Sequence, residues 1–216
     1  MRRFAVGLVV AGCGTEHHGV ATDATVDYVF DAACRAESFE YHGRLVDNAS
    51  LAVSSGASLV VRGDATRTAT SASTGAFVLC APTAPFMVDV DGTGDQLDGH
   101  IVALDYQQVS GLDLPPFTAT RLTAVLAGLG QVYDASTGVV IAVQLGDSAM
   151  ELSGSHGVAI TNHSLTWATG AHGATVVFPN VAAGTPTLSR PVDGFEVATE
   201  VLAGQITWVV IPHVEL

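Results

Sequence analysis

The side chains of this 216-residue chain that could do chemistry are few, and their spacing decides what each can do. Asp89-Val90-Asp91-Gly92-Thr93-Gly94-Asp95-Gln96-Leu97-Asp98 has the make-up of a calcium loop, which needs oxygen ligands at alternate positions and a glycine at the sharp bend. Asp89, Asp91 and Asp95 are its candidate ligands. The motif is incomplete: Thr93 stands where an acidic or amide side chain is commoner, and His100 stands where a bidentate glutamate should close the shell. A polar hairpin, with Asp89 and Asp91 on the solvent face of a strand, accounts for the same residues and is preferred. Histidine is the other metal-ligating type. His17 and His18 lie near the N-terminus, and His42, His100, His156, His163, His172 and His213 are scattered over strand ends and loops. No pair has the i, i+4 helical spacing and no Cys-x-x-Cys accompanies them, so no metal site and no cofactor is assigned.

Gly146-Asp147-Ser148-Ala149 resembles the start of a GDS-type esterase block. A nucleophile needs an exposed elbow and nearby amides to hold an oxyanion. Here the tripeptide leaves a strand in an expected hairpin, with no G-x-S-x-G and no α/β pattern around it. No catalytic residue is assigned, and the chain is not expected to be an enzyme. Trp167 and Trp208 are of a type that stacks on sugar, yet both sit in alternating apolar strands, where large aromatics serve packing.

The N-terminal stretch speaks to address. Arg2 and Arg3 precede an apolar run from Phe4 to Gly12, too short for the roughly 20 residues of a helical membrane span. A basic start, a short apolar middle and small residues before a boundary read as a secretory signal over residues 1–12. Val10-Ala11-Gly12-Cys13 resembles a bacterial lipobox. The resemblance implies diacylglyceryl attachment to Cys13, cleavage before it and acylation of the new terminus, and Gly14 in place of an aspartate implies an outer-membrane lipoprotein. Several buried acyl chains hold a protein durably where one is marginal. With Cys13 lipidated, Cys34 and Cys80 remain as an even pair in an oxidising compartment, and a Cys34–Cys80 disulfide is expected. The chain has no lysine and a net charge of −13, which argues against nucleic acid as a partner because phosphate arrays repel it.

The elements that carry these residues are strands. Residues 13–38 are small, polar and weakly patterned, as a tether is. From Phe39 onward, short apolar runs are separated by Gly, Asp, Asn, Ser and Pro, the mark of an all-β fold. Alternation places Phe86, Val88 and Val90 on one face, with Met87, Asp89 and Asp91 on the other. Similar stripes run through Val139, Ile141, Val143 and Leu145, through Phe195, Val197, Thr199 and Val201, and through Ile206, Trp208 and Val210. One segment breaks the pattern. Leu122, Val125, Leu126 and Leu129 recur at helical spacing after Pro115-Pro116, with Gly128 and Gly130 as stop signals, predicting a short helix over about 118–127.

The two halves repeat. Gly56 and Gly75 open strands in the first half, and Gly154 and Gly173 do so at the same interval in the second, with Gly43 and Gly138 leading the opening strands. Gly43-Arg44-Leu45-Val46-Asp47, Gly56 to Val61, Thr70 to Phe77 and the closing Phe86 to Gly92 resemble the carboxypeptidase regulatory-like domain, also called prealbumin-like or transthyretin-like. The second half is similar through Gly138 to Leu145, Gly157 to Ile160 and Phe178 to Gly184. The resemblance implies two tandem Greek-key Ig-like or prealbumin-like β-sandwiches, over 39–112 and 137–216, joined by a helical linker over 113–136. It also implies an accessory or binding module. The expectation is a lipid-anchored bacterial envelope protein that binds an envelope protein or cell-wall glycan, or else acts as a structural spacer.

Overall fold

The computed structural model describes residues 34, 38–47, 49–83, 85–104, 113–163 and 166–212. The expected signal segment, Cys13, the tether apart from Cys34 and Ser38, and His17, His18 and His213 lie outside the described residues. Ahead of the helix come β1 (Phe39–Asp47), β2 (Ala52–Val53), β3 (Ser58–Val61), β4 (Asp64–Thr70), β5 (Ala76–Ala81), β6 (Phe86–Asp91), β7 (Gly99–Ala103) and β8 (Asp113–Leu114). Helix α1 (Ala119–Gly128) leads to β9 (Gly138–Ala149), β10 (Glu151–Leu152), β11 (Ile160–His163) and β12 (Thr166–Thr169). Then follow β13 (His172–Val181), β14 (Thr187–Arg190), β15 (Phe195–Ala198) and β16 (Ile206–Val210). The chain is an all-β sandwich fold with one short helix between its halves, as the punctuation predicts.

Nine strands form one sheet in the order β12-β11-β13-β9-β16-β7-β6-β3-β4. Its centre is parallel: β16 pairs with β7 through Trp208↔Ile101 and with β9 through Trp208↔Ile141. The last strand of the second half therefore lies between a strand of each half. The units expected over 39–112 and 137–216 are joined by this shared sheet as well as by the helix. Parallel strands cannot be linked by a tight turn, and the chain between β7 and β9 crosses over through β8 and α1.

The two faces of this sheet carry different covers. On one, Leu59, Val88, Ile101, Ile141 and Trp208 pack with Tyr41 of β1, Phe77 and Leu79 of β5, and Leu122 and Leu126 of α1 in a single core. On the other, Val102, Val140, Phe178 and Val209 pack with Met150, Leu152 and Leu188 under the small sheet β10-β14-β15. Each such side chain contributes about 1.5–3 kcal/mol by leaving water. Burial on both faces explains the sequence of the central strands: Val139 to Val143, all of β7 and all of β16 are buried without a break. The stripes read for β9 and β16 mark only one of two buried faces, because doubly covered strands show continuous apolar runs. Leu145, expected in the β9 stripe, is exposed, since the register slips between Gly173↔Ser148 and Thr175↔Val143 and residues 144–147 bulge.

The helix forms where its spacing places it. Thr118 is the N-cap, its Oγ1 accepting from the Arg121 N–H at 2.9 Å, and Leu122, Val125 and Leu126 are buried while Leu129 packs at the margin. The repeat holds in part. β1 pairs antiparallel with β5 as β9 does with β13, and the hairpins β3-β4 and β11-β12 correspond. Gly56 and Gly154 both carry the positive φ, 80° and 85°, that a side chain would strain. The halves then diverge, because β6 joins β3 in the large sheet while β14 turns to β10.

Candidate functional site

The side chains that come together lie on the second face of the large sheet, where β3, β6 and β7 extend beyond the β10-β14-β15 cover. Asp89 of β6, His100 of β7 and Thr207 of β16 are consecutive register partners and so share that face. Arg62 follows β3 and reaches across it. Its Nε and Nη2 donate to Asp89 Oδ1 at 2.9 and 2.5 Å, and its Nη1 donates to Glu200 Oε2 at 2.5 Å. Glu200 belongs to the loop between β15 and β16, so this one guanidinium ties the first half to the second. Those two carboxylates raise its affinity for its proton.

His100 is fully buried beside this triad. Its Nε2 lies 3.4 Å from Thr207 Oγ1, and the Thr207 hydroxyl donates to the Glu200 carbonyl at 2.8 Å. A hydroxyl that has given its proton away can only accept, so His100 carries its proton on Nε2. Nδ1 is left buried with no hydrogen-bond partner. Burial first, and then the Arg62 charge, hold the imidazole below the usual histidine range, outweighing Glu200 and Asp89.

A groove of about 320 Å3 opens beside this cluster. Ser58, Val60 and Asp91 line it from the strands, Asp98 from the β6–β7 connection, and Leu202 and Gln205 from the β15–β16 loop. Its lining mixes the charged Arg62, Asp89, Asp91 and Asp98 with Val60, Val90 and Leu202, and it is open rather than enclosed, which suits contact with a partner surface over burial of a small molecule.

The candidate calcium loop is a stitched polar hairpin, the reading preferred from the sequence. Asp89 spends its carboxylate on Arg62, Asp98 Oδ1 accepts from the Gly92 N–H at 2.9 Å, and Thr93 Oγ1 donates to the Ser55 carbonyl at 3.0 Å. Asp91 and Asp95 are exposed. Among the described residues no three His, Cys, Asp or Glu side chains gather as a metal-ligating group. The histidines are dispersed: His42 pairs with Glu40 at 3.1 Å, His156 packs edge-on to Phe178 with its nitrogens against the Gly157 and Leu152 carbonyls, and His172 is exposed at the head of β13.

Ser148 follows the β9 bulge, and its hydroxyl donates to Gln144 Oε1 at 2.8 Å. That amide also accepts from buried Arg190 at 3.2 Å, and Arg190 forms a bidentate pair with Asp193. The serine thus sits in a structural network and has no imidazole base on it. Trp208 is core, its indole N–H donating to the Pro115 carbonyl at 3.0 Å, and Trp167 packs on Phe117 with ring centroids 5.5 Å apart. Cys34 and Cys80 form the expected disulfide, with Cα atoms 5.4 Å apart, which fastens Cys34 to β5.

Sequence reasoning missed Arg62 and Glu200, which are 138 positions apart and belong to no motif. The one signal was scarcity: with eight basic and 21 acidic residues, every arginine has several carboxylates to choose from. All five described arginines are in ion pairs. No helix among the described residues is long and apolar enough to cross a membrane. Comparison with protein-family models, with curated proteins and with solved structures finds no match. The lipobox and the prealbumin-like resemblance therefore rest on the residues that carry them.

Proposed function

We propose that this chain is a non-catalytic lipoprotein of the bacterial envelope, held at the outer membrane by lipid on Cys13, that binds or scaffolds an envelope protein or wall glycan. The observation that carries the reading is the Cys34–Cys80 disulfide. Structural disulfides belong to exported proteins, and this one uses both other cysteines, leaving Cys13 as the sulfur available for lipid. The groove between β3, β6, β7 and the β15–β16 loop is the surface proposed for recognition, because loops on a packed scaffold tolerate the variation that binding needs. The hydrogen bond from Ser148 to Gln144 supports a binding module over a hydrolase. The net charge of −13 favours a protein or neutral glycan over nucleic acid.

A second reading, a spacer in a surface assembly, is favoured by the sheet that runs through both halves. Mass analysis of the N-terminal peptide from the membrane fraction tests the anchor. A lipidated Cys13 at the mature terminus, and release of the protein by Cys13→Ala, are expected; an unmodified Cys13 with Met1 retained would refute it.

A further inference from the structure

We propose that His100 is an acid-sensitive pin under the Arg62–Glu200 closure: at neutral pH it holds the β15–β16 loop against the first half, and a proton on Nδ1 opens the closure and reshapes the groove. The inference is independent of the lipid anchor, since it concerns only the described sheet and loop.

The geometry makes the two protonation states unequal. The neutral Nε2–H tautomer fits: the ring donates to Thr207 Oγ1, and Thr207 in turn donates to the Glu200 carbonyl, a chain that ties the pin to the loop. The imidazolium does not fit, because its second N–H would point from Nδ1 into a buried place with no acceptor, and an unmet buried donor is costly. The charged groups facing the ring are Asp89 from β6, Arg62 after β3 and Glu200 from the loop. Both carboxylates are engaged by the single Arg62 guanidinium, which leaves the cluster one negative charge, and burial together with the guanidinium outweighs it at the ring.

The closure itself is weak. Arg62 and Glu200 side chains are 36% and 42% exposed, and ion pairs this wet contribute little. The rest of the loop is held on the second half, through the reciprocal Gly184–Val201 hydrogen bonds and Gly204 N–H to the Thr137 carbonyl. Opening at Glu200 therefore leaves the fold and the rest of the loop in place while releasing Arg62, whose side chain lines the groove.

The sign follows from linkage. With the loop open, His100 is solvated and titrates at about 6.5, above its value when closed, so protons favour the open form as pH falls below about 6.5. The test is performed on the full chain with two readouts: imidazole 15N shifts, and amide exchange over residues 199–200 corrected for the intrinsic effect of pH. The expected result is the Nε2–H tautomer at neutral pH, a His100 titration below 6.5, and exchange of that segment rising up to about tenfold per pH unit below it. In His100→Gln the exchange becomes independent of pH over that range. Arg62→Gln, an exposed change that leaves the core intact, should move the imidazole titration upward, and it provides the test if His100→Gln does not fold. A His100 that titrates at or above 6.5, exchange that His100→Gln leaves unchanged, or a titration indifferent to Arg62→Gln would each overturn the proposal.

Discussion

An arginine in a chain with 21 acidic residues finds a carboxylate wherever the fold takes it, so burial decides what the pair is worth. Arg62 lies on a wet surface, and Arg62→Ala should lower unfolding free energy by at most about 1 kcal/mol in denaturant titration. A larger loss would mean the closure also supports the core. Trp208 is the opposite case, 1% exposed between two cores' worth of strands and bonded to Pro115. Trp208→Ala should cost about 3–5 kcal/mol, and Trp208→Phe, which loses the Pro115 bond and leaves a smaller cavity, about 1–3 kcal/mol in the same titration. At this scale the sequence was readable where arithmetic or alternation constrains it. The Cys34–Cys80 pair followed from an even count, and the outward placing of Asp89 and Asp91 followed from period two. The Arg62–Glu200 contact had no such signature, because two surface residues distant in sequence leave no periodic trace.

Elements differ in how far local rules determine them. Helix α1 lies within a residue or so of its predicted bounds, since an N-cap threonine, a 3–4 apolar spacing and a glycine stop are all local signals. The parallel β7-β16-β9 centre is not local, as its pairing joins residues on either side of more than 60 intervening positions and its strands are buried on both faces, so a stripe does not tell which face meets which partner. Gly99 is the sensitive point in that centre. A Cβ there would press on the Ile206 carbonyl and lie 2.8 Å from the Trp208 ring. Gly99→Ala should therefore destabilise by about 1–3 kcal/mol or more through overpacking, seen as a lowered denaturation midpoint with an unchanged slope. The disulfide acts on a neighbouring strand, β5. Its closed loop spans 46 positions, so reduction should remove about 4 kcal/mol on the chain-entropy account, read as the difference between oxidised and Cys34→Ser/Cys80→Ser protein.

For the whole molecule, the shared sheet changes what the two halves are. Tandem sandwiches linked only by a helix would unfold separately, whereas here β16 lies between strands of both halves, and one core contains side chains from each. Calorimetry should show a single transition with matching calorimetric and van't Hoff enthalpies; two resolved transitions would mean that the halves are independent. The repeat read from the glycines survives as corresponding hairpins, while the route by which the second half returns its last strand to the centre depends on long-range packing that no motif announces. The same organisation presents the groove at the boundary between halves, the surface proposed for recognition. The most direct measurement of that claim is crosslinking in the cell from which the protein comes, with mass spectrometry of what the Cys13-anchored chain retains, alongside Cys13→Ala and a groove variant, Leu202→Asp. The account predicts one dominant envelope partner that is lost in both variants. Equal capture by the Leu202→Asp variant, or no defined partner for the anchored wild-type chain, would contradict recognition through the groove and leave the spacer reading.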